Sequence, residues 1–255
     1  MHTIRPEPTP PIGLILAAGL GRRLGDRTAD RPKAMLELNG KSLLERLLVS
    51  LAAANVAQAV VVPGHFAGRV DAFVEGRDFG LSVRTVFNPD YATANNIVSF
   101  LCAADMIRDG CLLLNSDIVV DSTVIEELAA DRDGSWLVVD HDEPLSAEEM
   151  KVQLDEAGRI RRGNKVLPPE ECVGEYIGAL RFDVAGVGEC LASARRLVAS
   201  GGTDLYYEHA IDAAAAEIGA LPLATAGRAW TEIDDSVDYA RAVAILATLE
   251  GDGAR

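Results

Sequence analysis

Apolar positions along the chain alternate between two patterns. Ile12–Ala17 is a continuous apolar run bounded by Pro11 and Gly19, as in a strand covered on both faces. Ser42–Ala54 instead carries Leu43, Leu44, Leu47, Leu48 and Leu51 at helical spacing. Ala59–Val62, Leu81–Phe87, Cys111–Leu114 and Trp136–Val139 repeat the strand pattern, and Asn96–Ile107 and Ser122–Ala130 the helical one. Strands alternating with helices of about ten residues predict an α/β fold with a mostly parallel sheet and helices on both faces. The pattern changes after Asp140. Lys151–Leu154, Arg159–Arg162 and Tyr176–Phe182 read as strands joined by short turns, with Glu156-Ala157-Gly158 at a hairpin tip, so a small antiparallel patch joins the parallel core. Helices return over Val187–Ala199, Leu205–Ile218 and Val237–Leu249. With no repeat and no low-complexity linker, the organisation expected is a polar, proline-rich lead-in over 1–11 and one domain over 12–250, divided near 140.

Composition narrows the classes. Hydrophobic residues make up 49% of the 255 and charged ones 25%, ordinary for a globular protein. No apolar run approaches the roughly 18–20 residues that span a bilayer, and the lead-in has no apolar signal-peptide segment, so the expectation is a cytoplasmic protein with no membrane partner. A formal net charge of −15 argues against nucleic acid as a partner. The cysteines, Cys102, Cys111, Cys172 and Cys190, lack C-x-x-C spacing and read as small buried hydrophobes rather than metal ligands or disulfides. No segment marks a homo-oligomer interface. Of 24 basic residues only Lys33, Lys41, Lys151 and Lys165 are lysines. Arginine serves as the general surface cation here, which makes each lysine a position to account for.

A loop that follows a buried strand and contains glycines can bring backbone N–H groups against a phosphate, because no Cβ blocks the approach. Gly19-Leu20-Gly21 is placed for this, although two glycines alone could equally form an inert strand-to-helix turn. A dinucleotide fingerprint is excluded, since Gly25 comes four residues after Gly21 rather than three and the next strand ends in Val62-Pro63-Gly64 without a ribose-binding acid. A P-loop is excluded too: Gly40-Lys41-Ser42 has Met35 where the opening glycine would stand.

The longer run Leu16-Ala17-Ala18-Gly19-x-Gly21-x-Arg23-Leu24, followed by Pro32-Lys33 and Gly40-Lys41, resembles the signature of nucleotide-diphospho-sugar pyrophosphorylases. Further on, Asn88-Pro89-Asp90-Tyr91, Asn95-Asn96, Ser99-Phe100-Leu101, Asp204-Leu205-Tyr206-Tyr207 and Thr231-Glu232-Ile233-Asp234 with Asp238-Tyr239 look like bacterial choline-phosphate and phosphonate cytidylyltransferases. The resemblance runs from about Ile12 to Leu249. It implies a Rossmann-like, mixed but mostly parallel sheet, a nucleotide half over about 12–140 and an acceptor half over about 141–250.

The same resemblance implies a set of site residues. Leu16, Ala17, Ala18, Gly19 and Gly21 would wrap the triphosphate of an incoming NTP, CTP above others. Arg23 and Lys33 would hold its phosphate oxygens. Asp117, just past a strand, and Asp234, just before the last helix, would share a Mg²⁺ ion, in keeping with the oxygen donors a hard cation takes. Each aspartate has a rival role as a helix cap, for which Asp121 and Ser122, or Asp235 and Ser236, are at least as well placed. Asn95 would read the nucleotide and Asn96 the acceptor, unless they cap a helix. Lys151 and Lys165 would grip the phosphate or phosphonate of a small acceptor, their rival role being strand-edge charge. Glu175 would meet the acceptor's polar end. Asp204 and Tyr206 would line its pocket, or else cap a helix and enter the core. Lys165 is followed by Val166 rather than proline, a departure from the sugar-nucleotide branch, and aromatics at only 5% of the chain count against a quaternary-ammonium cage.

Overall fold

The computed structural model describes residues 11–130 and 132–252. Apart from Pro11, the expected lead-in lies outside them. The first half builds β1 (Ile12–Ala17), the short pair β2 (Glu37–Leu38) and β3 (Lys41–Ser42), α1 (Leu43–Ala53), β4 (Gln58–Pro63), α2 (Ala67–Glu75), β5 (Ser82–Thr85), α3 (Asn96–Cys102), β6 (Cys111–Asn115), β7 (Ile118–Val120), α4 (Ser122–Ala129) and β8 (Trp136–Asp140). The second half adds β9 (Lys151–Leu154), β10 (Ile160–Asn164), β11 (Gly174–Phe182), α5 (Val184–Ala199), α6 (Tyr207–Ala213), α7 (Ala215–Ile218), β12 (Leu221–Ala224), β13 (Trp230–Glu232) and α8 (Ser236–Asp252).

The central sheet runs β5-β4-β1-β6-β11, with the first four strands parallel and β11 antiparallel to β6. Along one edge β11 pairs with β8, which carries β12 in parallel. Its other edge is shared: Ala179–Phe182 pair with β6, whereas Gly174 and Glu175 pair with β9 of the β9–β10 hairpin. The continuous apolar strands follow from burial on both faces. Leu14 and Leu16 of β1 enter one core with Phe100, Val187 and Tyr207, and Ile15 and Ala17 enter the other with Leu44, Leu48 and Ile125. A third cluster packs Ile233, Ala242 and Leu246 onto Leu24, Leu36 and Leu38, so α8 and its lead-in close over the glycine loop.

Several boundaries differ from the sequence expectation. The Asn96–Ile107 helix ends at Cys102, where three-residue turns through Ala103, Ala104 and Met106 replace it. Leu205–Ile218 starts only at Tyr207 and is broken at Ala214, whose φ of −124° and ψ of 20° leave the helical region. Helix α2 escaped the periodicity because Val70 is its only buried side chain. Gly40-Lys41 belongs to the β2–β3 hairpin, with Asn39 and Gly40 both at positive φ.

Where β11 passes from β6 to β9 its register against β8 shifts between Tyr176 and Leu180. Gly178 lies in that bulge at φ +83°, and a Cβ there would stand 2.7 Å from the Asn115 amide nitrogen at the end of β6. Both the backbone and the space demand glycine. Gly178→Ala is expected to lower stability by roughly 1–3 kcal/mol in urea denaturation; an unchanged midpoint would show that the bulge is not so constrained.

Candidate active site

The carboxyl ends of β1 and β6 open into a cleft of about 390 Å³ that continues beneath the β9–β11 segment and α6. Open α/β sheets collect ligands at this end. The loop after β1 supplies Ala18, Gly19 and Leu20 to the lining. Gly21 does not line it but takes φ +62°, and a Cβ would come within 3.1 Å of both the Lys33 Cβ and the Thr28 Cγ2. Its carbonyl accepts the Thr28 hydroxyl at 2.9 Å. Gly21 therefore lets the loop lie directly on Lys33. Pro32, extended at φ −70°, delivers Lys33 into a single 3-10 turn with its side chain inward.

Lys33 is 8% exposed, and its ammonium donates to Asp117 Oδ2 at 2.9 Å and to Asp234 Oδ1 at 2.7 Å. Arg23, largely in solvent, pairs with the second Asp234 oxygen at 2.6 Å. The carboxylates stand 117 positions apart in sequence and meet through a short ladder. Strand β7 pairs with β13, Ile118 opposite Glu232, and the Asp117 carbonyl accepts from the Ile233 N–H at 2.9 Å. Neighbours fill the capping roles open to these aspartates. Asp121 caps α4, the Asp235 carboxylate accepts from the Val237 and Asp238 N–H groups, and Asp238 accepts from the N–H groups of Asp234 and Asp235.

Burial works against the charge on Lys33, but Asp117 and Asp234 outweigh it and raise its pKa. Asp234 is lowered: burial opposes its ionisation, and Lys33 and then Arg23 reverse that. Glu232 adds a third carboxylate, and one oxygen from each of Asp117, Glu232 and Asp234 lies within 4.8 Å of the others. The Asp117 charge foremost, then burial and Asp234, push Glu232 up to about 8. Asp117 Oδ1 is buried with no hydrogen-bond partner. Three hard oxygen donors, one of them orphaned, fit a divalent cation of the Mg²⁺ class.

The family model for the MobA-like NTP transferase domain matches residues 13–213. The chain belongs to that family. It has the nucleotide-sugar transferase fold, and its relatives include cytidylyltransferases. It is 29% identical over 259 residues to the CMP-5'-(3-aminopropyl)phosphonate synthase of Streptomyces rubellomurinus, covering 93% of this chain and 39% of that protein. Three further relatives are covered over only 36%, 46% and 49% of their length, so the chain spans less than half of these proteins. The choline-phosphate cytidylyltransferase of Streptococcus pneumoniae is 26% identical over 243 residues, covering 91% of this chain and 97% of that one. Among solved structures, the inositol-1-phosphate CTP transferase of T. maritima shares the fold at a TM-score of 0.79 and 20% identity, over 94% of this chain and 96% of that chain.

Most of the sequence-derived residues converge on the cleft. Leu16, Ala18, Gly19, Arg23, Lys33, Asn95, Asn96, Asp117, Lys165, Glu175, Tyr206 and Asp234 line it. Ala17 does not, being buried in the core beneath the loop. Asn95 is both lining and helix cap, its carboxamide oxygen accepting from the Asn96 N–H and its NH₂ donating to the Asp204 carbonyl. Two expectations need correction. Lys151 is 1% exposed, and its ammonium donates to the carbonyls of Ser146, Ala147 and Glu149; it holds the 142–150 loop rather than an acceptor. Asp204 offers its backbone carbonyl to Asn95, and its side chain is exposed outside the cleft. Tyr207, next to Tyr206, is core: its hydroxyl meets the Tyr176 hydroxyl at 2.8 Å and donates to Asn115 Oδ1 at 3.2 Å.

Sequence reasoning gave no role to Asn115, Glu148, Glu208 or Glu232. Glu232 stands two residues before Asp234, and the period of two in extended chain puts such a pair on one side, whereas a turn at Ser116 and Asp117 separates Asn115 from the first aspartate. That signal was available for Glu232. Nothing local marks Glu208, which faces the cleft because α6 packs against α3, α5 and β10 and Tyr207 bonds to Asn115 at the end of β6.

Between the ordinary glutamate value of 4.5 and about 8, folded Glu232 holds a proton that the unfolded chain has released. The native state then binds more protons, so this group's contribution to stability falls as pH rises through that window. Asp117→Asn removes the largest cause. Urea denaturation from pH 5 to 8 is expected to show a shallower decline in the variant than in the wild type, the difference cancelling contributions from other groups. Equal slopes would contradict the assigned cause.

Proposed function

We propose that the chain transfers CMP from CTP to a small phosphate or phosphonate acceptor, with release of pyrophosphate and dependence on Mg²⁺. The observation that carries this reading is the buried Lys33 ammonium held between Asp117 and Asp234 directly beneath a glycine loop. In a chain of net charge −15, a triphosphate needs cations placed locally, and Lys33 and Arg23 are the two that line this part of the cleft.

The acceptor's phosphate or phosphonate oxygen is ionised at neutral pH, so no general base is needed. It attacks the α-phosphorus in line. A new P–O bond to the acceptor forms as the bond to the β-phosphate oxygen breaks, and the electron pair leaves on pyrophosphate. The protein's work is positioning and charge neutralisation. Gly19 and the backbone around it approach the triphosphate, and Arg23 turns its exposed guanidinium to phosphate oxygens. Lys33 is a movable point charge suited to negative charge growing at the α-phosphate. Asp117, Asp234 and Glu232 would hold Mg²⁺, which when bound supplies further neutralisation of the triphosphate. Lys165 is the remaining cation of the lining, suited to the acceptor's anionic end.

A second reading, with a cyclitol or sugar 1-phosphate as acceptor or with another NTP, draws support from the fold shared with the inositol-1-phosphate CTP transferase. Pyrophosphate release measured with four NTPs crossed against choline phosphate, aminoalkyl- and hydroxyalkylphosphonates, inositol phosphate and hexose 1-phosphates separates the two. The expected result is turnover with CTP and a small phosphate or phosphonate. Lys33→Ala should lower kcat/KM by about 10²–10⁴-fold with an unchanged circular-dichroism spectrum. A folded Lys33→Ala enzyme with near-full activity would overturn the role of Lys33.

A further inference from the structure

Two carboxamides line the cleft between the Lys33 cluster and the acceptor end: Asn96 at the start of α3 and Asn115 at the end of β6. Both turn their oxygen toward Tyr207, which is fully buried. Asn96 Oδ1 accepts the Tyr207 N–H at 2.8 Å, and Asn115 Oδ1 accepts the Tyr207 hydroxyl at 3.2 Å. The two contacts differ in what they fix. A backbone N–H only donates, so it settles the orientation of Asn96. A hydroxyl donates or accepts, so by itself it fits Asn115 either way round. The group that decides is Glu208, 7% exposed on α6, because a carboxylate only accepts. Burial pushes Glu208 up to about 7, and hydrogen bonds from its own backbone N–H, Tyr207, Asn115 and Asn96 keep it from rising further. Gly178 confines the same amide from the other side, since a Cβ there would stand 2.7 Å from the Asn115 nitrogen.

We propose that Glu208 is a positioning residue: it selects the orientation of the Asn115 amide, so that Asn115 and Asn96 each present an N–H to the phosphate or phosphonate oxygens of the acceptor. The inference rests on the nucleotidyl-transfer reading above. An amide NH₂ carries two hydrogens, so one can go to the buried carboxylate while the other stays free for a ligand. Rotated the other way, Asn115 would turn its oxygen to the cleft and repel the anion that an N–H holds. Fixed neutral donors matter at this place. Lys165 is the one cation of the acceptor end, and Glu148 and Glu175 line it too. Oriented N–H groups bind an anion without adding charge, and they need no rearrangement when it arrives.

The test is a double-mutant cycle of Glu208→Gln and Asn115→Ala, with the acceptor that turns over best in the panel above. Glu208→Gln keeps the shape but brings a donor of its own, which frees Asn115 to rotate. Either single change should raise the KM for the acceptor by roughly 5- to 50-fold and leave the KM for CTP within about twofold. In the Asn115→Ala background, Glu208→Gln should add less than about twofold, because its effect runs through that amide. Fully multiplicative effects, an unchanged acceptor KM in folded Glu208→Gln, or a CTP KM that rises in step would each overturn the proposal while leaving cytidylyl transfer standing. Should Glu208→Gln not fold, Tyr207→Phe decides. It removes the hydroxyl that fits either orientation and leaves Glu208 in place, so its acceptor KM should stay near the wild-type value, and a rise matching that of Asn115→Ala would overturn the role of Glu208. No turnover by the wild type with any pairing would overturn the transferase reading and this proposal together.

Discussion

Everything in the cleft depends on one ion cluster, the Lys33 ammonium between Asp117 and Asp234. Asp117, Glu232 and Asp234 bring three carboxyl groups within a few ångströms in a half-buried place. Like charges so close cannot all ionise without a cation, and Glu232 shows the strain by holding its proton to about 8. In the structure the cation is Lys33, with Arg23 outside it. Three separate parts of the chain are thereby fastened: the loop after β1, the end of β6 and the lead-in to α8. The β7–β13 ladder and the packing of Ile233 and Leu246 on Leu24 and Leu36 give that fastening its geometry. A group that carries several negative charges of its own competes for Lys33, so the cluster that ties these parts together is also the one prepared to rearrange around a triphosphate.

The parallel half of the fold was legible because its strands are buried on both faces and its helices carry strong apolar stripes. Ile12–Ala17 and Leu43–Leu51 are continuous signals of that kind. Helix α2 was not legible, since one buried valine makes no stripe, and β7, β12 and β13 are too short to show a period. The sharing of one β11 edge between β6 and β9 depends on a register shift at Gly178, which only long-range pairing creates.

The site was legible where chemistry is local in sequence. The glycine loop, Pro32-Lys33, Asp117 and Asp234 each lie at the end of a strand or the start of a helix, where side chains face the ligand end of the sheet. The acceptor side was harder. Lys151 has the residue type for anion binding, but its neighbours on the 142–150 loop turn their carbonyls inward and take all three of its donors. Glu208 sits mid-sequence in a helix start that looks like ordinary core, and its meaning comes from Asn96, Asn115 and Tyr207, which approach from other elements. Of the scarce lysines, Lys33 and Lys165 line the cleft and Lys151 holds a loop, because scarcity marks a residue with a demanding environment without saying which kind.

In the proposed reaction this cleft breaks the bond between the α- and β-phosphates of CTP and passes the CMP group to an acceptor. Phosphorus-31 NMR of a reaction containing the protein, Mg²⁺, CTP and an aminoalkylphosphonate follows that bond directly. Pyrophosphate and a new phosphonate–phosphate anhydride are expected to grow in equal amounts, with no CDP. Appearance of CDP and inorganic phosphate, or of CMP without the anhydride, would contradict it.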